Sequence, residues 1–234
     1  LREALTGATS QLDQTPDLRG DALRDAPLRL RHTLGISHAA LLANPDRILS
    51  RDQQAAYQAL ILRRLTNEPI QYITGEQEFY GLALTVSSAV LIPRPETEIL
   101  VEAVLCELQR EVPLRLLDIG TGSGAIALAL AHHLPKARVT AVDLSSAALE
   151  VAAANVARHN LAERIDLLAS DLLAALAPGE AFDVIVSNPP YVPTADRDAL
   201  PPQVRDFEPA SALFAGSTGL DLYRRLVPQA HAAL

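Results

Sequence analysis

The sequence predicts an α/β protein with a mainly parallel sheet, preceded by a small all-helical domain and joined to it by a β-hairpin. Three observations carry this. From Leu114 onward, short apolar runs alternate with helical stretches, and such alternation implies right-handed βαβ crossovers and a parallel sheet. The runs Leu116-Leu117 and Val184-Ile185-Val186 lack polar alternation, as expected of strands that helices cover on both faces. Ahead of residue 74 the apolar residues recur at helical spacing, and between Ile73 and Pro93 the period falls to two.

The first domain is expected over residues 1–73. Leu23, Leu28, Leu30 and Leu34 precede Gly35, a second run spans 36–42, and Ser50-Arg51-Asp52-Gln53 opens a third with Tyr57, Leu60 and Ile61. Ser50 and Gln53 fit a capping box, which places a helix start near residue 51. Pro27 predicts a kink or boundary. Over 74–93, Leu82, Leu84 and Val86 alternate with Ala83 and Thr85 between Gly75 and Gly81, the pattern of a hairpin linker.

The remaining domain, 94–234, opens on a proline-stiffened bend, Leu91-Ile92-Pro93-Arg94-Pro95-Glu96-Thr97-Glu98, that leads into a helix over 97–110. Cys106 in that helix, beside Val104, Leu105 and Leu108, reads as core packing. Strands follow at 114–119, 138–143, 165–170 and 182–187, and helices at 125–133, 147–160 and 220–234. The run 182–187 reads as a central strand, so a further strand is expected beside it, supplied from beyond Leu234. With no Met at its start, the chain is expected to lack part of its front.

Composition narrows the function. No long uncharged apolar stretch crosses a membrane, and no charged-then-apolar leader opens the chain. A single Cys forms no internal disulfide, which favours a cytoplasmic setting. The net charge of −8 argues against non-specific grip on a phosphate backbone. Residues 1–75 carry 9 Arg against 8 Asp/Glu, while 76–234 carry 11 Lys/Arg against 20 Asp/Glu, so any acidic partner should meet the first part. The six His stand apart from the motifs and show no metal-ligand spacing, so no metal is expected.

Chemistry concentrates at strand ends. The last strand runs into Asn188-Pro189-Pro190-Tyr191. Two prolines make a stiff bend that offers carbonyls and almost no backbone donors. The Asn188 side-chain oxygen and the Pro189 carbonyl can each accept one hydrogen of an –NH2 group while the Tyr191 ring covers its flat face. The first strand ends in Asp118-Ile119-Gly120-Thr121-Gly122-Ser123-Gly124, where glycines admit a ligand to the backbone and a helix N-terminus follows. Asp143 ends the second strand, where a carboxylate can take ribose hydroxyls. Asp171 follows the third, where it can accept from an adenine amino group while Leu172 lies against the ring. Taken singly, Asp143 and Asp171 could be helix caps, and the glycine loop could serve a dinucleotide.

On these residues, and on Tyr72-Ile73-Thr74-Gly75, Phe79-Tyr80-Gly81, the Ile92–Glu98 run, Phe207-Glu208-Pro209 and Gly219-Leu220, the chain resembles the class I, Rossmann-like S-adenosylmethionine-dependent methyltransferases. Within them it resembles the HemK-type release factor glutamine methyltransferases. The resemblance implies S-adenosylmethionine as cofactor, S-adenosylhomocysteine as product, and N5-methylation of the glutamine in the Gly-Gly-Gln loop of class 1 peptide chain release factors. The helical domain would help hold that protein substrate. Neither membrane nor nucleic acid is expected as a partner, and a monomer is the expectation. An adenine-N6 or guanine-N2 methyltransferase is the alternative, because an aromatic –NH2 presents the same two hydrogens.

Overall fold

The computed structural model covers residues 1–234 and divides into two compact units, Leu1–Thr74 with Pro201–Phe207, and Gly75–Leu200 with Glu208–Leu234.

The first unit is helical: α1 (Arg2–Asp13), α2 (Ala22–Leu34), α3 (His38–Ala43), α4 (Arg51–Leu65) and α5 (Ile70–Thr74). Leu12, Leu18, Ala26, Leu30, Tyr57 and Ile61 form its core. Helix α4 begins where its capping box requires, with Ser50 accepting from the Gln53 backbone and Gln53 accepting from Ser50. Pro27 does not end α2, which runs through it. The donor that Pro27 lacks would have served the Leu23 carbonyl, and Leu23 is 81% exposed, so water can take that role.

Within this core lies a buried ionic cluster. The Asp25 carboxylate accepts from Arg64 Nε at 2.8 Å and from Arg29 Nη2 at 3.4 Å, and all three side chains are at most 1% exposed. Burial lowers the Arg29 guanidinium to about 10, and its Nε and Nη1 have no hydrogen-bond partner. Tyr57, pushed above the usual phenol range by burial, donates to the Ala26 carbonyl.

The second unit opens with a hairpin of β1 (Glu76–Phe79) and β2 (Leu82–Thr85), paired Phe79 to Leu82. Tyr80 and Gly81 have φ of 49° and 79°, the two positive angles of a type I′ turn, which glycine at the second position eases. Then follow α6 (Pro95–Glu107), β3 (Arg115–Ile119), α7 (Ala125–His133), β4 (Arg138–Asp143), α8 (Ser146–Arg158), β5 (Ile165–Ala169) and β6 (Val184–Ser187). The short α9 (Pro202–Arg205) lies in the segment counted with the helical unit, and Gln203 there accepts from Arg64 Nη2 at 3.1 Å. Helix α10 (Asp221–Ala232) closes the chain.

The four strands are all parallel in the order β5-β4-β3-β6. The chain builds outward from β3 through α7, β4 and α8 to β5, then returns to place β6 on the other side of β3. Ligand crevices form at such a reversal, outside the carboxyl ends of the strands. One face of the sheet packs against α7, Val101 of α6, Val156 of α8 and the hairpin residues Phe79, Leu82 and Leu84. The other face packs against Leu222, Leu226 and Ala233 at α10. The run 182–187, read from sequence as central, is the edge strand here. Cys106 is exposed rather than core: about 100° per residue puts it roughly 140° around α6 from buried Val101. No helix is long and apolar enough to cross a membrane.

Candidate functional site

A cavity of about 250 Å³ opens at the carboxyl ends of all four parallel strands. Its floor is the loop after β3. The Gly120 and Thr121 backbones both donate to the Val142 carbonyl, at 2.9 and 3.0 Å, which ties the loop to β4. Gly120, Thr121, Gly122 and Ser123 line the cavity and Gly124 does not. At Gly120 and Gly122 φ is positive and an added Cβ would meet no atom within 4 Å, so any side chain there would enter the space a ligand needs. Gly124 has a different task. A Cβ there would come within 3.3 Å of Leu128 Cδ1 and 3.4 Å of Ala152 Cβ, so this glycine lets α7 and α8 pack closely.

Beneath the loop lies Asp118, fully buried, with Oδ2 accepting from Thr121 Oγ1 at 2.6 Å and from Ala127 N at 3.2 Å. Its Oδ1 has no partner. Burial raises this carboxyl to about 6, against the pull of those two bonds. The folded state therefore holds a proton that the unfolded chain has released between about pH 4 and 6. That contribution to stability is full below pH 4 and is lost as pH rises through 6, by about 3 kcal/mol. Asp118→Asn is expected to abolish this dependence, so that its stability relative to the parent rises between pH 5 and 7. Urea unfolding across that range checks it, and parallel curves would refute it.

Asp143 ends β4 with Oδ2 on the Gly122 backbone at 2.8 Å and Oδ1 on the Ser145 backbone at 2.9 Å. It is not the cap of α8, a role Ser145 takes, and each carboxylate oxygen retains a lone pair for a hydroxyl donor. The next residue, Leu144, is 74% exposed and lines the cavity. The sequence shows only a Leu directly after a strand-end acid, and its exposure appears in the fold alone. Asp171 also lines the cavity, but its Oδ2 receives Arg225 Nη2 at 2.6 Å, so an adenine amino group would have to use the other oxygen. Leu172, buried in the wall, has φ of 54°. A branched residue there carries strain of the kind that ligand sites hold.

Asn188, Pro189 and Pro190 line the cavity at the end of β6, beside the glycine loop. Ser187 Oγ donates to the Ile119 carbonyl at 2.6 Å, joining the end of β6 to that of β3. Asn188 Nδ2 donates to Thr97 Oγ1 at 3.1 Å. Tyr191 lies outside the lining and is 62% exposed, so its ring does not cover the cavity in this structure. The chain beyond it is held by its main chain: Val192 N donates to Leu213 O at 2.9 Å, and Ala215 N to Val192 O at 3.0 Å. A Cβ at Gly219 would sit 2.2 Å from the Tyr191 carbonyl oxygen, and Gly219 has φ of +73°. Gly219→Ala is therefore expected to cost about 2–4 kcal/mol and to displace the Asn188–Tyr191 bend. Gly7→Ala, with nothing near, should cost nothing. Urea unfolding of both variants, with turnover, tests the pair.

The proline-rich run supplies the third wall, through Pro93, Arg94 and Thr97. Its side chains are fixed one by one. Arg94 pairs with Glu208, which also accepts from Ile92 N at 3.3 Å, and Glu98 accepts from Tyr80 N at 2.9 Å. Burial raises the Glu208 carboxyl while Arg94 draws it back. Asn155, buried on α8, accepts from Thr85 N and donates to the carbonyls of Thr85 and Ser123, binding the hairpin to the glycine loop. Thr97, Glu208 and Asn155 were not singled out from sequence as working residues, since each acts on a partner far away in the chain.

Comparison with known proteins gives this geometry its context. Residues 95–200 match the family described as methyltransferase small domain, and residues 3–75 match the PrmC N-terminal domain. The release factor glutamine methyltransferase of Koribacter versatilis is 49% identical over 231 residues, covering 98% of this chain and 80% of that protein. Those of Geobacter sulfurreducens and Deinococcus radiodurans are 47% and 43% identical, covering 86% and 100% of this chain and 69% and 82% of theirs. Among solved structures, the hMettl16 catalytic domain in complex with MAT2A 3'UTR hairpin 6 aligns with a TM-score of 0.50 at 19% identity, over 82% of this chain and 73% of that one. That likeness concerns the fold alone. With both of its units matched and near-full-length relatives at this identity, the chain belongs to the release factor glutamine methyltransferase family.

Proposed function

We propose that this protein transfers a methyl group from S-adenosylmethionine to the side-chain amide nitrogen of the glutamine in the Gly-Gly-Gln loop of class 1 peptide chain release factors. The observation that carries the reading is the Asn188-Pro189-Pro190 bend lining one cavity with the glycine loop, at the ends of the adjacent strands β6 and β3, with Asn188 Nδ2 already bonded and its Oδ1 without a protein partner. The residues fit the cofactor: open space over Gly120 and Gly122, a strand-end carboxylate at Asp143, and an apolar wall at Leu144 and Leu172. When bound, S-adenosylmethionine supplies an electrophilic methyl on a sulfonium sulfur.

The protein's own part is orientation. An amide nitrogen is a weak nucleophile because its lone pair is shared with the carbonyl. Asn188 Oδ1 and the Pro189 carbonyl take its two hydrogens, polarise the nitrogen and hold it oriented for attack. The cofactor would supply the methyl, its bonding pair leaving with the sulfur, and the amide nitrogen would give up one proton to water. Asp171 is paired with Arg225 and Arg94 with Glu208, so Asp143, which has backbone partners only, is the lining carboxylate that suits a positively charged cofactor. Tyr191 follows directly on cavity-lining Pro190, and in this reading its exposed ring turns over the carboxamide when a substrate loop enters. The helical unit, richer in Arg than the rest, serves in holding the release factor, and the setting is cytoplasmic.

The test is methyl transfer from labelled S-adenosylmethionine to a purified release factor, to the same factor with its Gly-Gly-Gln glutamine changed to Ala, and to duplex DNA. Label on the first alone is the expected result. Label on DNA would move the protein to the nucleic-acid amino methyltransferases.

A further inference from the structure

The bond between Asn188 and Thr97 bears on how the substrate nitrogen is held, in a way that rests on the reading just given. A carboxamide is nearly symmetric in shape, and rotation about its last bond exchanges an acceptor for two donors. If Nδ2 faced the cavity, two –NH2 groups would oppose each other and the substrate would lose one of its acceptors. Asn188 is only half-buried, so burial alone does not choose between the two orientations. We propose that Thr97 is a positioning residue: its hydroxyl accepts from Asn188 Nδ2 and anchors the carboxamide in the orientation seen here, which leaves Oδ1 to accept from the glutamine amide.

Thr97 is well placed for this. It lies in the first turn of α6, where its backbone donates to the Arg94 carbonyl at 3.0 Å. Arg94 is paired with buried Glu208, and the backbone one residue before Pro93 is held by the same carboxylate. Prolines on both sides of Arg94 stiffen the approach. The hydroxyl position is therefore set by protein contacts on one side of the cavity and presented to a residue 91 positions later in the chain. Branching at Cβ restricts the Thr97 rotamer. The donated hydrogen bond also polarises the Asn188 carboxamide and makes Oδ1 the better acceptor.

Thr97→Val keeps the shape and removes the oxygen, and Thr97→Ser keeps the oxygen. With the full chain, a release factor substrate and S-adenosylhomocysteine as binding probe, Thr97→Val is expected to lower kcat about 10–50-fold while KM and the probe's Kd stay within about twofold. Thr97→Ser should retain at least about a third of kcat. Thr97→Val added to Asn188→Ala should slow turnover no further, because both act through one group. If Thr97→Val keeps kcat within about threefold while Asn188→Ala loses it, the positioning role is wrong and the site reading stands. If neither variant loses turnover, the reading of Asn188 fails first. Weaker probe binding in Thr97→Val, or no rescue by Ser, would assign Thr97 to structure alone and overturn the proposal.

Discussion

Asn188→Ala is expected to lower kcat by about 10²–10³-fold while S-adenosylhomocysteine binds within about fivefold of the parent. The substitution removes one of the two acceptors that aim the nitrogen and leaves the cofactor's supports untouched. Those supports lie elsewhere: the glycine loop is tied to the Val142 carbonyl, and Asp143 is held by the Gly122 and Ser145 backbones. The Pro189 carbonyl remains, which is why some turnover should persist. Steady-state kinetics with a release factor, beside calorimetric binding of the product, separates the two quantities. Near-normal kcat would remove Asn188 from the chemistry, and a parallel loss of binding would make it a cofactor ligand instead.

The largest effect on stability is expected in the helical unit. Asp25→Ala should cost about 3–5 kcal/mol, because it leaves Arg29 buried with no carboxylate and Arg64 with only that of Asp21, at 3.4 Å. Arg29 is already short of partners at Nε and Nη1, and its one bond to Asp25 is long at 3.4 Å. Arg29→Met is accordingly expected to be neutral or stabilising, since Asp25 keeps Arg64 and Arg24 and a costly desolvation disappears. Removing Asp46, whose pairing with Arg2 is exposed at 87%, should change stability by less than about 0.5 kcal/mol. Urea unfolding of the three variants ranks them. Equal effects for Asp25→Ala and Asp46→Ala would show that burial does not set the value of these pairs.

Much of this was legible in the sequence, for physical reasons. Helix α7 and strand β4 fall where their runs predicted, at Ala125–His133 and Arg138–Asp143, because buried elements of a parallel sheet announce themselves by continuous apolar character. Ser50 and Gln53 marked the start of α4 because capping is local. The floor and the Asn188 wall of the cavity were likewise legible, since strand-end residues occupy one edge whatever the loops do. What was hidden depends on distant partners. Nothing in the sequence joins Thr97 to Asn188, or Gln203 to Arg64, at separations of 91 and 139 residues. Asp171 read as a free acceptor until Arg225 claimed one oxygen. Tyr191 read as covering the –NH2 group, yet its side chain is exposed and outside the cavity lining. Gly124 sits in the same short motif as Gly120 and Gly122, and only the packing of α7 on α8 separates its task from theirs.

The identity of the nitrogen that receives the methyl group separates an amide methyltransferase from every other kind. Fragmentation mass spectrometry of a release factor incubated with this protein and S-adenosylmethionine measures that directly. The predicted result is a single added methyl on the side chain of the Gly-Gly-Gln glutamine, absent when Asn188→Ala replaces the parent at matched time. A methyl on a lysine, an arginine or the peptide backbone, or none on that glutamine with an active cofactor-binding protein, would contradict it.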